Sequence, residues 1–138
     1  MATVDGTVGG TTKLPGHLSK QLYKVSRHYD FSENNQSSSD VIQLINIPAN
    51  HFVLAVFSDV EVAEGGTLTF DAGDGADPNG WDDAVDGDTV AVTQGDGAFA
   101  AQTAGGKLYT AADTLDIVLD NDADAAKIGL IALVAEIA

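Results

Sequence analysis

The stretch Asp40–Gly73, DVIQLINIPANHFVLAVFSDVEVAEGGTLTFDAG, decides how this chain folds. Its opening apolar run, Val41 to Ile47, stops at Pro48, and Pro48-Ala49-Asn50 predicts a turn because proline fixes φ and has no amide proton to donate. A second run, His51 to Val62, follows; Glu64-Gly65-Gly66 then turns the chain into a third, Thr67 to Ala72. β-Branched and aromatic residues dominate all three, and turn residues separate them, so they predict consecutive strands. Strict alternation would put Phe52, Leu54, Val56, Val60 and Val62 on one face of the second strand. The other face would hold His51, Val53, Ala55, Phe57, Asp59 and Glu61. That strand is expected to be central, with the polar end of its second face in solvent or against a partner.

Working outward, Tyr23, Val25, Tyr29 and Phe31 alternate with Lys24, Ser26, His28 and Asp30, which predicts a first strand with one polar face. Ser32–Ser39 is a polar loop. Asp71–Gly87, DAGDGADPNGWDDAVDG, is too rich in Asp, Gly and Pro for regular structure and predicts a long organised loop with Trp81 as its aromatic anchor. Short strands are expected at Thr89–Gln94, Ala98–Thr103 and Lys107–Thr110. Leu115, Ile117 and Leu119 alternate in the penultimate strand. The last, Lys127–Ile137, is apolar on both faces, so it is either buried on both sides or used in a subunit contact on one. Eight or nine strands at roughly ten-residue spacing, with no helix, predict an all-β antiparallel two-sheet sandwich, jelly-roll-like. Residues 20–138 form that single domain. Residues 1–19, rich in Gly and Thr, read as a flexible N-terminal arm that orders on a partner.

Charge is unevenly placed. Of the net −15, residues 1–31 carry Lys13, Lys20, Lys24 and Arg27 against Asp5 and Asp30, whereas residues 32–138 carry only Lys107 and Lys127 against the other 19 acids. Such an acidic body repels phosphate, so neither nucleic acid nor an anionic membrane is an expected partner. The basic arm suits an acidic surface, its own or a neighbour's; the acidity also serves plain solubility. The absence of cysteine removes disulfides and thiolate chemistry. The N-terminus lacks the basic and apolar regions of a signal peptide, and no apolar run approaches the ~20 residues of a membrane helix.

No catalytic constellation stands out, and no enzyme is expected. Asp71, Asp74, Asp77, Asn79, Asp82, Asp83 and Asp86 crowd one loop, and hard oxygen ligands at that density invite Ca²⁺, with Asp74, Asp77 and Asp82 the candidates. The spacing does not match an EF-hand, and turn-forming Asp accounts for the same residues without metal or other cofactor. Asp120-x-Asp122-x-Asp124 is nearer, but Ala125 and Ile131 stand where Gly and Glu belong. His17, His28 and His51 have no close His or Glu at metal-ligand spacing. Trp81, alone in a polar loop, is open to three readings: stacking on a sugar, insertion into a neighbouring subunit, or anchoring of its loop onto its own sandwich.

The order Ser39-Asp40-Val41-Ile42, Ile47-Pro48-Ala49, Val60–Gly66 and Thr67–Gly75, continued by Asp77–Trp81 and Leu108–Leu115, resembles small structural proteins of tailed bacteriophages over about residues 22–137. The resemblance implies a non-enzymatic β-sandwich virion protein that decorates or cements the head, assembled in the host cytoplasm. Its partner would be the major capsid protein on the outer capsid surface, and trimers at local symmetry axes would be favoured. On that reading Lys13, Lys20, Lys24, Arg27 and the Trp81 loop contact the shell or a neighbouring protomer. The rival readings are a carbohydrate-binding module using Trp81 and the aspartate loop, or a fibre or tail component. A hydrolase with paired carboxylates is a remoter third, because nothing selects two acids from so many.

Overall fold

The computed structural model describes residues 22–95 and 106–137. Nine strands occur among them: β1 (Leu22–Asp30), β2 (Val41–Ile47), β3 (His51–Val62), β4 (Thr69–Asp74), β5 (Asp82–Asp86), β6 (Ala91–Gln94), β7 (Lys107–Tyr109), β8 (Asp113–Leu119) and β9 (Lys127–Glu136). One sheet runs β1-β9-β3-β6, with β7 pairing the same edge of β3 beyond β6; the other runs β2-β8-β4-β5. All pairings are antiparallel. The chain passes from one sheet to the other at β1–β2, β2–β3, β3–β4, β5–β6, β7–β8 and β8–β9, which is jelly-roll winding. The predicted strand at Ala98–Thr103 and the arm lie outside the described residues.

Between the sheets, Val53, Val56, Val60, Ile128, Leu130, Ala132 and Val134 meet Ile42, Ile45, Ile47, Phe70, Ala72, Leu115, Ile117 and Leu119, all buried. Phe31 and Leu68, just outside strands, close the core. β3 is central, between β9 and the β6/β7 edge. Its predicted faces need correction. The register against β9 shifts between Val53 and Ala55, so Leu54 is an extra, bulged residue. Val53 therefore turns inward while Phe52 is half-buried and Leu54 is exposed. A second irregularity, between Val60 and Val62, leaves Val62 exposed. β2 uses the same device at Leu44.

Asp71–Gly87 is also more regular than its composition predicts. β4 runs on to Asp74, and β5 occupies Asp82–Asp86. Edge position explains this: β5 pairs only β4, so Asp83 and Asp86 stay in reach of water, while Asp82 is buried at the start of the strand. The true loop, between Asp74 and Trp81, folds back over the outer side of β4. A Cβ on Gly73 would lie 2.2 Å from the carbonyl oxygen of Asp77 and from Pro78, so only glycine admits the loop there. β9 is buried on its inner face, while Ile131, Leu133 and Ala135 on the other face are half-buried.

Candidate interaction surface

The two sheets differ on their outer sides. In the first sheet, strand register sets Leu22, Ala135, Phe52 and Leu108 side by side across β1, β9, β3 and β7. The next rows are Lys24–Leu133–Ala55 and Ser26–Ile131–Phe57–Gln94. Alternation from the buried partners makes this the outward face. It forms an apolar plate whose margins are open: Leu22 is 53% exposed, Leu54 38%, Leu108 46%, and Val92 in the row beyond 60%. Contiguous apolar surface of this kind, bordered by charge, marks a contact site more often than chance exposure.

The outer side of the second sheet is acidic and partly covered by its own loop. Asp116, in register with Gly73, is 3% exposed beneath it. Burial holds the Asp116 carboxyl above the usual carboxylate range, with nearby Asp113 and Asp74 acting in the same direction. Its Oδ1 has no hydrogen-bond partner in the structure.

The aspartate loop uses its carboxylates internally. Asp74 Oδ1 accepts the backbone amides of Ala76 and Asp77 at 3.0 and 2.9 Å. Its Oδ2 accepts the Lys107 ammonium and, at 2.8 Å, the Tyr109 hydroxyl. Burial alone would raise this carboxyl; the hydrogen bonds from Lys107, Tyr109, Asp77 and Ala76 outweigh it and bring it below its ordinary value. Burial and the Asp74 hydrogen bond push the Tyr109 phenol upward. Asp82 Oδ1 caps the amide of Asp83, and the Asp77 carbonyl accepts the amides of Asp74 and Gly80. The carboxylates of Asp74 and Asp82 therefore serve as core and turn polar groups, whereas Asp77 contributes its backbone carbonyl to the turn. The near-EF-hand segment is likewise spent on loops. Asp122 accepts the Ser38 amide, Asp120 the Thr69 hydroxyl, and Glu64 the amides of Asp124, Ala125 and Ala126.

Of the three readings of Trp81 the structure takes the anchoring one, and its assignment as a contact residue needs correction. It is 2% exposed, its indole N–H donates to the Tyr109 hydroxyl at 3.1 Å, and its side chain packs in the core. It anchors its own loop and is available neither to a sugar nor to a neighbouring subunit. Lys24 and Arg27 are exposed on β1, an edge strand, and alternation places them on opposite faces. Lys13, Lys20 and His17 lie outside the described residues. His51 contacts the Ala49 carbonyl at 3.0 Å.

One grouping was invisible to local spacing. His28, Asp59 and Glu61 converge at the charged end of the first sheet's outer face. His28 comes from β1 and the acids from β3, with β9 between them, so only the sheet order joins them.

The fold class is thus a jelly-roll β-sandwich with one bare apolar face. No protein-family model matches the sequence, and no curated protein matches it. Solved structures do share the fold. A chain of the cyanophage Pam1 capsid asymmetric unit is 16% identical with a TM-score of 0.66, over 98% of this chain and 100% of that one. A chain of the capsid of Ralstonia phage GP4 is 18% identical at 0.63, over 93% and 92%. A chain of the acid-stable capsid of Helicobacter pylori bacteriophage KHP30 is 16% identical at 0.61, over 86% and 90%. At these identities the likeness is one of fold.

Proposed function

We propose that the chain is a non-enzymatic structural protein of a phage virion that decorates the outer surface of the major capsid protein lattice and cements the head. The observation that carries this reading is the apolar plate of Leu22, Phe52, Leu54, Leu108, Ile131 and Leu133 on an otherwise acidic sandwich. The shared fold with capsid chains supports it, because it spans nearly the whole of both chains.

In this reading the plate is buried between neighbouring copies. β1 borders the plate with Lys24 and carries Arg27 on its opposite face, and the segment ahead of β1 adds Lys13 and Lys20, while the rest of the body is strongly acidic. A basic margin on one copy against the acidic flank of the next is a head-to-tail arrangement, and such contacts close into rings such as a trimer. Residues 1–19 then reach the shell, and many weak contacts on a repeated lattice sum through effective concentration.

Quantitative mass spectrometry of density-purified particles tests the assignment. The expected result is a copy number approaching that of the major shell protein. A handful of copies would move the protein to a fibre or tail, and absence from particles would end the virion reading. Deleting residues 1–19 should sharply weaken capsid binding with an unchanged circular dichroism spectrum; undiminished binding would remove the arm from the contact.

A further inference from the structure

Beyond the apolar plate, the outer face of the first sheet ends in a compact polar group. His28 Nε2 lies 2.8 Å from Asp59 Oδ2 and 3.3 Å from Glu61 Oε1. One ligand atom from each residue falls within 4.8 Å of the others. His28 and Asp59 are both in register with Gly129 on the intervening strand β9. A Cβ on Gly129 would sit 2.4 Å from His28 Cδ2, so the bare glycine lets the imidazole lie across β9 and reach β3. The irregularity at Val60/Val62 places Glu61 as the extra residue of β3, free of the ladder and turned to the same group. Lys127 Nζ holds the other oxygen of Glu61, Oε2, at 2.9 Å, which leaves Oε1 facing His28.

We propose that His28 Nε2, Asp59 Oδ2 and Glu61 Oε1 form a binding site for a first-row transition divalent cation of the Zn²⁺ type. One imidazole with two carboxylates is a donor set suited to such ions, whereas Ca²⁺ and Mg²⁺ want oxygen alone. All three donors approach from the sheet side and Glu61 is exposed, so water completes the coordination from outside. The cation replaces the proton that now links Nε2 to Asp59. Its mechanical consequence is specific: it ties edge strand β1, which continues from the basic arm, directly to central strand β3 across β9. Lys127 is the internal competitor, because its ammonium already neutralises half of Glu61.

The test is calorimetric titration of the full chain with ZnCl₂, alongside Co²⁺ titration followed by visible absorption, which reports nitrogen and oxygen ligation directly. One saturable site per chain is expected. His28→Gln should weaken it by about tenfold or more, since losing a ligand costs at least what losing its supporting shell does. Glu61→Gln, at an exposed position, should do the same while circular dichroism stays unchanged. Lys127→Met should tighten binding. Absence of a saturable isotherm, or isotherms unchanged in both ligand variants, would overturn the site and leave only diffuse attraction of cations to an acidic surface.

Discussion

The Tyr109 hydroxyl donates a 2.8 Å hydrogen bond to Asp74 Oδ2, and this contact helps join β7 of one sheet to β4 of the other at the end of the sandwich. Lys107, two residues before Tyr109, gives its ammonium to the same oxygen and lies 4.7 Å from the Tyr109 ring centre. Trp81 donates to the hydroxyl from the other side. A buried carboxylate is thereby compensated by one cation, one phenol and two backbone amides. An uncompensated one would be costly.

Removing the acceptor should therefore cost more than removing a donor. Asp74→Ala is expected to lower unfolding free energy by about 3–5 kcal/mol, the range for breaking a buried pair. Tyr109→Phe, which keeps the ring, should lower it by about 1–2 kcal/mol. Urea denaturation of both variants checks the order as well as the size.

Two buried carboxylates give opposite pH dependences. Asp74 titrates below its ordinary value, so its contribution is full above that value and disappears as pH falls through the depressed one. Asp116 titrates above its ordinary value, so it opposes folding once pH has risen through the raised one, and it has no effect below the ordinary one. Asp116→Asn should accordingly be about 1 kcal/mol more stable than the parent at neutral pH, with the advantage vanishing in acid. Denaturation midpoints measured from pH 3 to pH 8 would show the two curves converging at the acid end; a constant offset would contradict the assignment.

Gly73→Ala should expel the loop that lies on β4. The added carbon meets backbone atoms of Asp77 and Pro78 rather than a side chain that can swing away. A loss of about 1–3 kcal/mol is expected. Because the loop leads into buried Trp81, tryptophan emission should shift to the red in the folded variant.

Charge on the apolar plate separates association from stability. Leu22→Lys and Leu108→Lys alter exposed side chains at opposite margins of one row. Each should change monomer stability by no more than about 0.5 kcal/mol. Light scattering after size exclusion should nevertheless show the double variant shifted toward monomer. An unchanged mass would remove the plate from the contact between copies.

Much of the architecture was legible in the residues themselves. Val41–Ile47, His51–Val62, Asp113–Leu119 and Lys127–Glu136 are strands because alternation and turn chemistry at Pro48–Asn50 and Glu64–Gly66 act over a few residues, and those rules need no partner. Asn50, at φ 61°, and Gly65, at φ 78°, adopt the left-handed backbone that such turns use. The composition also set the acidic body and the basic segment ahead of it. What the sequence could not determine was which side of a strand meets the core once a bulge intervenes: Leu54 reverses the parity of β3, and Phe52 moves outward with it. Trp81 was legible as the anchor of its loop, but the sequence could neither name Tyr109 as its partner nor join His28 to Asp59 across Gly129. Those depend on the order β1-β9-β3, a pairing of strands distant in sequence. That order is chosen by burial of the whole sandwich, and no local window of sequence contains it.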